Sequence, residues 1–238
     1  MELTERSLRA ELRDVDEIHR DGMATMATDL RELHTATRAS RRELVRNAAI
    51  AGAAVTIGST VLPLNKLISA NAQELDDATI AAFAASVEYA AVAAYKAAAG
   101  SGKVKTPAIG AAATLFLGHH KEHGDAFLAA SGGKWTKDKA NPMLIEALAK
   151  QLGEAKNEMD VVKLAYDTEN AASATYMFAL GALQSADALK LTASILPIES
   201  AHAVVLAGVL GLPATDETYL PPFETAKAAL SPTDFPLA

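Results

Sequence analysis

Three histidines and a glutamate occupy five consecutive positions of the segment Leu117–Phe127, in a chain of 238 residues that has six histidines and no cysteine. Within this segment, His120 and His123 are three positions apart, and a second such pair, Glu199 and His202, lies in an apolar stretch. Residues three or four positions apart share one face of a helix. Each pair can therefore direct two ligand atoms the same way. Imidazole and carboxylate ligands without thiolates suit iron, manganese or zinc, so both segments are candidate parts of a metal site.

Two further glutamates belong to similar short segments. Glu88 lies in EYAAVAAY and Glu169 in ENAASATY, and each is followed seven positions later by a tyrosine, Tyr95 or Tyr176. The second glutamate follows the first by 81 residues, and the second histidine-containing pair follows the first by 79. Nearly equal offsets indicate that one helical hairpin has been duplicated. The two tyrosines are predicted to be core aromatics, because that is the commoner role of an apolar ring on such a face.

The predicted apolar surroundings make these residues more informative together than singly. One glutamate alone could lie on a solvated helix face, and one buried histidine usually only makes a hydrogen bond. Three buried carboxylates beside three imidazoles would repel one another or take up protons unless cations compensate them. One or two divalent ions meet that need. The candidate metal ligands are Glu88, His120, His123, Glu169, Glu199 and His202.

Helices are the elements expected to position these residues. Half of the residues are hydrophobic, only 5% are aromatic, and alanine dominates, which favours closely packed helices over sheets. Apolar periodicity and Gly or Pro boundaries predict helix A in 74–102, helix B in 106–133, a long helix C in 141–185 that Gly153 could break, and helix D in 187–211. Short connections between four helices predict an all-α four-helix bundle over residues 73–212.

With these ligands on these helices, the chain resembles the ferritin-like superfamily of di-iron and di-manganese carboxylate proteins, and more narrowly its exported ferritin-like domain proteins. The resemblance covers residues 73–225, and the segment IESAHAVVLAGVLG is its most specific part. It implies a ferritin-like bundle that holds one or two Fe or Mn ions, with Zn less expected. The implied chemistry is Fe(II) oxidation or the reduction of peroxide or O2 by a metal-dependent oxidoreductase.

Helix B departs from the pattern of that superfamily. The expected motif is Glu-x-x-His, as at Glu199 and His202, but HKEH puts His120 where the glutamate belongs. Either Glu122 turns inward to replace the missing carboxylate, or helix B supplies two imidazoles. A mononuclear site, an asymmetric pair of ions, a Zn or Cu carrier, and a scaffold without redox function therefore stay open. His119 is expected at the margin of the site or exposed to solvent.

The first 72 residues differ from the bundle. Residues 1–39 are strongly charged and have a helical stripe of apolar residues, formed by Leu8, Leu12, Val15 and Ile18. Residues 40–72 resemble a twin-arginine export signal, with Arg41 and Arg42, an apolar stretch over 48–62 and the small-residue sequence ANA at 70–72. We expect export to the periplasm or cell envelope, with the twin-arginine machinery as a partner. A retained membrane anchor is the alternative.

The remaining features limit the partners. The formal net charge of −7 argues against nucleic acid, because phosphate binding requires clustered Lys and Arg. Without cysteine the chain has neither disulfides nor thiolate metal sites. Residues 213–238 form a proline-rich tail that is expected to wrap the bundle. No heptad seam identifies a partner helix, so assembly into a homo-oligomer stays open.

Overall fold

The computed structural model describes residues 4–24, 76–215, 218 and 228–237. The described residues form helices and no strand, which confirms the all-α prediction. The predicted signal segment, residues 40–72, lies outside the described residues, as do the predicted boundaries at residues 39 and 72. The main helices of the described residues are α1 (5–24), α2 (Asp77–Gly100), α3 (Pro107–Ala130), α4 (Pro142–Glu154), α5 (Glu158–Ala182) and α6 (Ala186–Leu210).

Four long helices, α2, α3, α5 and α6, make up the bundle. Helix α2 packs mainly with α3, and α5 packs mainly with α6, so the bundle consists of two hairpins. The shorter helix α4 leads into the second hairpin and packs against α2. Predicted helix C is divided near Gly153, as the prediction allowed, since α4 ends at Glu154 and α5 begins at Glu158. Asn157 and Asp160 form a capping box that starts a new helix, and Ala155 has an extended backbone.

Side chains cap most of the helix starts. Five residues accept a hydrogen bond from a backbone N–H three positions later, and they are Thr4, Asp76, Asn141, Asn157 and Ser185. Helix α3 lacks a cap of this kind at Thr106. Glu158 of α5 replaces it, since its carboxylate accepts the N–H groups of Lys105 and Thr106 and the Thr106 hydroxyl at 2.6–2.7 Å. This contact joins the first hairpin to the second.

Two apolar clusters fill the bundle on either side of a polar layer. One cluster contains Tyr95, Phe116 and Leu206, and the other contains Tyr89, Phe127 and Ile195. Along each of the four long helices, the predicted metal ligands lie between these two clusters. The site is therefore enclosed by the hydrophobic core at both ends.

Helix α1 packs on this bundle as a fifth long helix. Leu8, Leu12 and Val15 are at most 7% exposed and belong to the same apolar cluster as Phe116 and Leu206. The predicted helical pattern is confirmed, but Ile18, the last residue of the apolar stripe, is 56% exposed. His19, four positions after Val15, occupies the buried face instead and is 1% exposed.

The described part of the tail also contacts the bundle. Leu230, Phe235 and Leu237 pack against a cluster that includes Phe83 of α2 and Leu148 of α4.

Helices α2 and α6 are long and apolar enough to cross a membrane by length and composition, but 67% and 44% of their apolar windows are buried inside the bundle. Their hydrophobic character is explained by the core that they form.

Candidate metal centre

The six predicted ligands come together in one buried layer. Helix α2 contributes one of them, α3 two, α5 one and α6 two, and each is at most 1% exposed. They form two groups, and within each group one ligand atom per residue lies within 4.8 Å of the others. The first group is Glu88, His120, His123 and Glu199, and the second is His120, Glu169, Glu199 and His202. His120 and Glu199 belong to both groups.

His120 lies between two glutamates from opposite hairpins. Its Nδ1 is 2.7 Å from Oε2 of Glu88, and its Nε2 is 3.1 Å from Oε1 of Glu169. On the first side, Nδ1 of His123 is 3.6 Å from Oε1 of Glu88. On the second side, Nδ1 of His202 is 3.3 Å from Oε2 of Glu169. One ring nitrogen of His120 therefore faces each group.

Glu199 is the least satisfied residue of the layer. Its carboxylate is fully buried, yet neither oxygen has a hydrogen-bond partner among the described residues. Oε1 lies 2.7 Å from Nδ1 of His123, but the two groups are not aligned for a hydrogen bond, and Nδ1 is likewise unsatisfied. Oε2 lies 3.5 Å from Nδ1 of His202 and 3.7 Å from Nδ1 of His120, so the carboxylate has ionic contacts with three imidazoles but a hydrogen bond to none of them. Oxygen and nitrogen atoms that lie close together without a hydrogen bond between them can both act as ligands to a cation.

Two tyrosines hold the other two glutamates. The Tyr95 hydroxyl of α2 donates to Glu169 of α5, and the Tyr176 hydroxyl of α5 donates to Glu88 of α2. Burial and the facing carboxylate raise the pKa of each tyrosine well above 10, so both hydroxyls keep the proton that they donate. The prediction that these residues serve only as core aromatics is therefore incomplete. Their spacing of seven from the glutamates was the available signal, since it places each pair on one helix face.

The electrostatics of the layer reflect close pairing of opposite charges. Burial alone would raise the pKa of Glu88, but the contacts with His120 and His123 outweigh it and lower that pKa to about 2. Burial likewise opposes ionisation of Glu169, and the charges of His120 and His202 nevertheless hold its pKa well below 4.5. On the imidazoles burial favours the neutral form. The facing carboxylates outweigh burial and raise all three pKa values. The pKa of His123 rises to about 9, that of His120 rises well above 6.5, and that of His202 also rises above 6.5.

His119 extends the layer toward α1. It is 3% exposed, and its Nδ1 is 2.9 Å from Nε2 of His202. The ring of His19 stacks on it, with 3.8 Å between ring centroids and 18° between ring planes. Burial, followed by the nearby His202, lowers the pKa of His119 to about 2, and burial followed by His123 lowers that of His19 to about 3. Both stacked rings are therefore neutral.

Sequence reasoning missed His19 altogether. It lies on the apolar face of α1, four positions after Val15, and that spacing was the only local signal. Asp16 of the same helix places Oδ1 3.5 Å from Nε2 of His119. This contact is electrostatic, because Nε2 has no hydrogen-bond partner among the described residues.

Glu122 does not enter the layer. Its side chain is 61% exposed, and its Oε2 lies 3.9 Å from Nε2 of His19. The alternative in which Glu122 replaces the missing carboxylate of α3 is therefore wrong. Helix α3 directs His119, His120 and His123 inward, and Glu122 lies about 100° away from His123 around the helix axis.

Gly124 allows α3 to approach α2 closely beside Glu88. A Cβ atom at this position would lie 2.8 Å from Cε1 of Tyr89 and 3.2 Å from Cβ of Glu88. The Tyr89 ring is buried, and its hydroxyl donates to Asp125 at 2.8 Å, so it cannot easily move aside. The position of Glu88 therefore depends on residue 124 being glycine, which has no side chain.

An apolar cavity of about 100 Å³ lies beside the second group of ligands. Helices α2, α3, α4 and α5 supply most of its wall, in which alanine is the commonest residue. It extends to Thr168, which precedes Glu169, and to Tyr95, whose ring stacks on His120 with 5.3 Å between centroids. The cavity offers room for a small apolar molecule next to the glutamate–histidine layer.

One comparison with known proteins is informative. The family model for the ferritin-like domain matches residues 76–212, which is more than half of the chain. The matched span begins at the capping residue of α2 and ends just after α6, so it contains all six candidate ligands. No curated protein and no solved structure matches the chain.

Proposed function

The chain belongs to the ferritin-like domain family, and on that premise we propose that it is an exported metalloprotein with redox activity. In this proposal the buried layer holds one or two divalent ions, iron or manganese, and zinc is less expected. The observation that carries metal binding is Glu199, a fully buried carboxylate with both oxygens unsatisfied at the junction of the two ligand groups. A cation between the groups satisfies Glu199 and His123 together.

The surrounding residues suit redox chemistry more than simple storage of an ion. Bound iron or manganese would supply one-electron oxidation and reduction of the kind used with Fe(II), O2 or peroxide. Tyr95 and Tyr176 hold Glu169 and Glu88 in place by hydrogen bonds, whereas Glu199 accepts no hydrogen bond among the described residues. The apolar cavity beside Tyr95 would admit a small uncharged molecule such as O2 and exclude charged ones.

His120 limits how many ions the layer can hold. A neutral imidazole has one nitrogen with a free lone pair, so His120 can serve only one of the two groups at a time. A carboxylate at this position would serve both. We therefore expect one tightly bound ion per chain, and a second ion only at weaker affinity.

Export is the part of the proposal that rests on sequence alone. Arg41 and Arg42, the apolar stretch over 48–62 and ANA at 70–72 support passage through the twin-arginine machinery. A protein that crosses the membrane already folded can acquire its metal in the cytoplasm. The mature chain would then act in the periplasm or cell envelope.

A scaffold without metal is the second candidate, and one observation favours it. Without an ion, three glutamates face three histidines, and the carboxylates raise the pKa of each histidine. Protonated His120, His123 and His202 would then balance the charge of the layer. Such a bundle would be stable without metal and would act through binding to a partner.

Metal content per chain decides between these candidates. The chain is retained in the cytoplasm by Arg41→Lys/Arg42→Lys, purified, and analysed by elemental mass spectrometry beside Glu199→Ala. Glu122→Ala is the matched control, because Glu122 lies on α3 near the layer but is 61% exposed. We expect about one Fe or Mn per chain in the parent and in Glu122→Ala, and a large loss in Glu199→Ala. Absence of metal from all three proteins would refute the metalloprotein and favour the scaffold.

Export and activity need separate measurements. Fractionation should find the natural chain outside the cytoplasm and Arg41→Lys/Arg42→Lys within it, and N-terminal sequencing of the exported form should begin after residue 72. An unchanged distribution would refute the twin-arginine route. O2 consumption on addition of Fe(II) tests redox activity, and a metal-loaded protein without turnover would be a carrier.

A further inference from the structure

We propose that helix α1 is a detachable part of the metal centre, which shields the imidazole side of α3 and positions the ligand His202 through His119. The positioning of His202 rests on the proposed function, because it takes His202 to be a metal ligand, whereas the shielding by α1 does not require a metal. It assigns a role to the charged segment that precedes the predicted export signal.

The shielding follows from how α1 is packed. Val15 is 6% exposed and lies in the apolar cluster with Phe116 and Leu206, which anchors the helix directly beside the layer. One turn later, His19 covers His119 with a ring separation of 3.8 Å and lies 5.1 Å from the ring of His123. His119 and His123 are 3% and 0% exposed, and α1 covers the face on which both lie.

The positioning follows from a row of contacts that leads outward from the layer. Nδ1 of His202 lies 3.3 Å from Oε2 of Glu169, a member of the second ligand group, and Nε2 of His202 is 2.9 Å from Nδ1 of His119. If Nδ1 of His202 binds a cation, Nε2 must carry the proton and donate it to His119. His119 then carries its own proton on Nε2, which faces Oδ1 of Asp16 at 3.5 Å. A carboxylate of α1 thus favours the tautomer that His202 needs as a ligand.

Helix α1 lies on the other side of the predicted cleavage site from the rest of the bundle. Residues 5–24 precede the predicted signal segment, 40–72, whereas the other helices follow it. Cleavage after residue 72 would separate α1 from the bundle. The metal centre would therefore be closed, with His202 held in place, before export, and it would lose both the cover and the Asp16 contact afterwards.

The first test measures shielding in the metal-free full chain. Val15→Glu puts a charge into the α1 interface, and Ile18→Glu is its control, because the same change falls on the 56% exposed side of the same helix. Diethyl pyrocarbonate acylates accessible neutral imidazoles, and peptide mass spectrometry locates the modified residue. We expect His119 to react at least 10-fold faster in Val15→Glu than in the parent or Ile18→Glu, with helical circular dichroism of the bundle retained. Equal rates in all three proteins would overturn the shielding.

The second test measures positioning with Co(II), whose absorption spectrum reports ligand orientation. Asp16→Ala removes the carboxylate near His119, and Arg20→Ala is the control, because Arg20 contacts the other Asp16 oxygen at 2.9 Å. We expect Asp16→Ala to change the spectrum and to speed Co(II) release to a chelator about 10-fold. Asp16→Glu should bring both the spectrum and the release rate part of the way back to those of the parent. Arg20→Ala should leave both unchanged. An unchanged spectrum in Asp16→Ala would overturn the positioning.

The two tests separate failure of this inference from failure of the proposed function. A parent chain that binds no Co(II) refutes the metal centre, and with it the positioning of His202. The acylation result is independent of that outcome. If Val15→Glu exposes His119 to acylation, α1 is supported as a cover even when no metal binds. If His119 stays protected in Val15→Glu, that role of α1 is overturned.

Discussion

Replacing His120 by glutamate tests the central departure of this chain from its family. His120→Glu supplies the carboxylate that the family motif has at this position, and it removes the imidazole that lies between Glu88 and Glu169. Without metal, the layer would change from three glutamates and three histidines to four and two. We expect a less stable metal-free protein that binds more metal.

The loss of stability can be sized from the contacts of His120. Its two ring nitrogens lie 2.7 Å from Glu88 and 3.1 Å from Glu169, and hydrogen bonds to charged groups contribute about 1.5–3 kcal/mol each. Losing both costs roughly 3–6 kcal/mol, and repulsion among the four carboxylates adds to that. In a chain of this size each kcal/mol lowers Tm by about 2–4 °C, so the metal-free variant should melt at least about 6 °C lower.

His120→Gln separates the effect of shape from the effect of charge. Glutamine matches glutamate in size but adds no charge and cannot bridge two ions as a carboxylate does. We expect the metal-free stability of His120→Gln to lie between those of the parent and His120→Glu. On titration with Fe(II) or Mn(II) without O2, His120→Glu should bind two ions per chain and recover stability, whereas His120→Gln should bind one at most.

Thermal unfolding of the metal-free proteins and metal content after dialysis provide the two readouts. If metal-free His120→Glu is as stable as the parent, His120 does not neutralise Glu88 and Glu169. If the variant folds and still binds a single ion, the residue at position 120 does not set the number of ions.

Three further predictions follow from single contacts. Gly124→Ala should lose about 1–3 kcal/mol relative to Gly118→Ala in denaturant unfolding, because both gain helix propensity but only the first meets the Tyr89 ring, at 2.8 Å; equal stabilities would contradict the close approach. Glu199→Gln should melt lower than the parent without metal, since its carboxylate lies 2.7 Å from Nδ1 of His123 and 3.5 Å from Nδ1 of His202 and helps to raise the pKa of both imidazoles, and it should bind less metal; an equal or higher melting temperature would show that Glu199 does not pair with these imidazoles. The pKa of Glu158 is lowered, since the hydrogen bonds and charge around its carboxylate outweigh burial. Its stabilising contribution is therefore present above pH 4.5 and is lost as pH falls through the lowered pKa, so the Tm difference between the parent and Glu158→Gln should shrink in acid.

Much of the bundle could be predicted from local patterns. The spacing of Glu88 and Tyr95, repeated at Glu169 and Tyr176, identified two similar hairpins, because residues seven apart return to the same helix face. The offset of about 80 residues placed the second hairpin. The break between α4 and α5 was predicted near Gly153 and lies at residues 155–157, where the capping box at Asn157 starts a new helix.

The parts that could not be predicted depend on contacts between distant segments. Periodicity shows that Val15, Ile18 and His19 belong to a helix, but not which of its faces meets α3. His19 and His119 are 100 positions apart, and no local signal relates them. Likewise Glu122 and His123 are neighbours in sequence, and only the packing of α3 decides that one is exposed and the other buried.

The reciprocal bonds between the hairpins bear on the ancestry of the bundle. Tyr95 of the first hairpin donates to Glu169 of the second, and Tyr176 of the second donates to Glu88 of the first. Two separate copies of one hairpin, related by a twofold axis, would make the same pair of bonds. The present chain is thus equivalent to a homodimer whose subunits became joined. Among the six candidate ligands, the two halves differ only at position 120, which holds histidine where its counterpart at 199 holds glutamate.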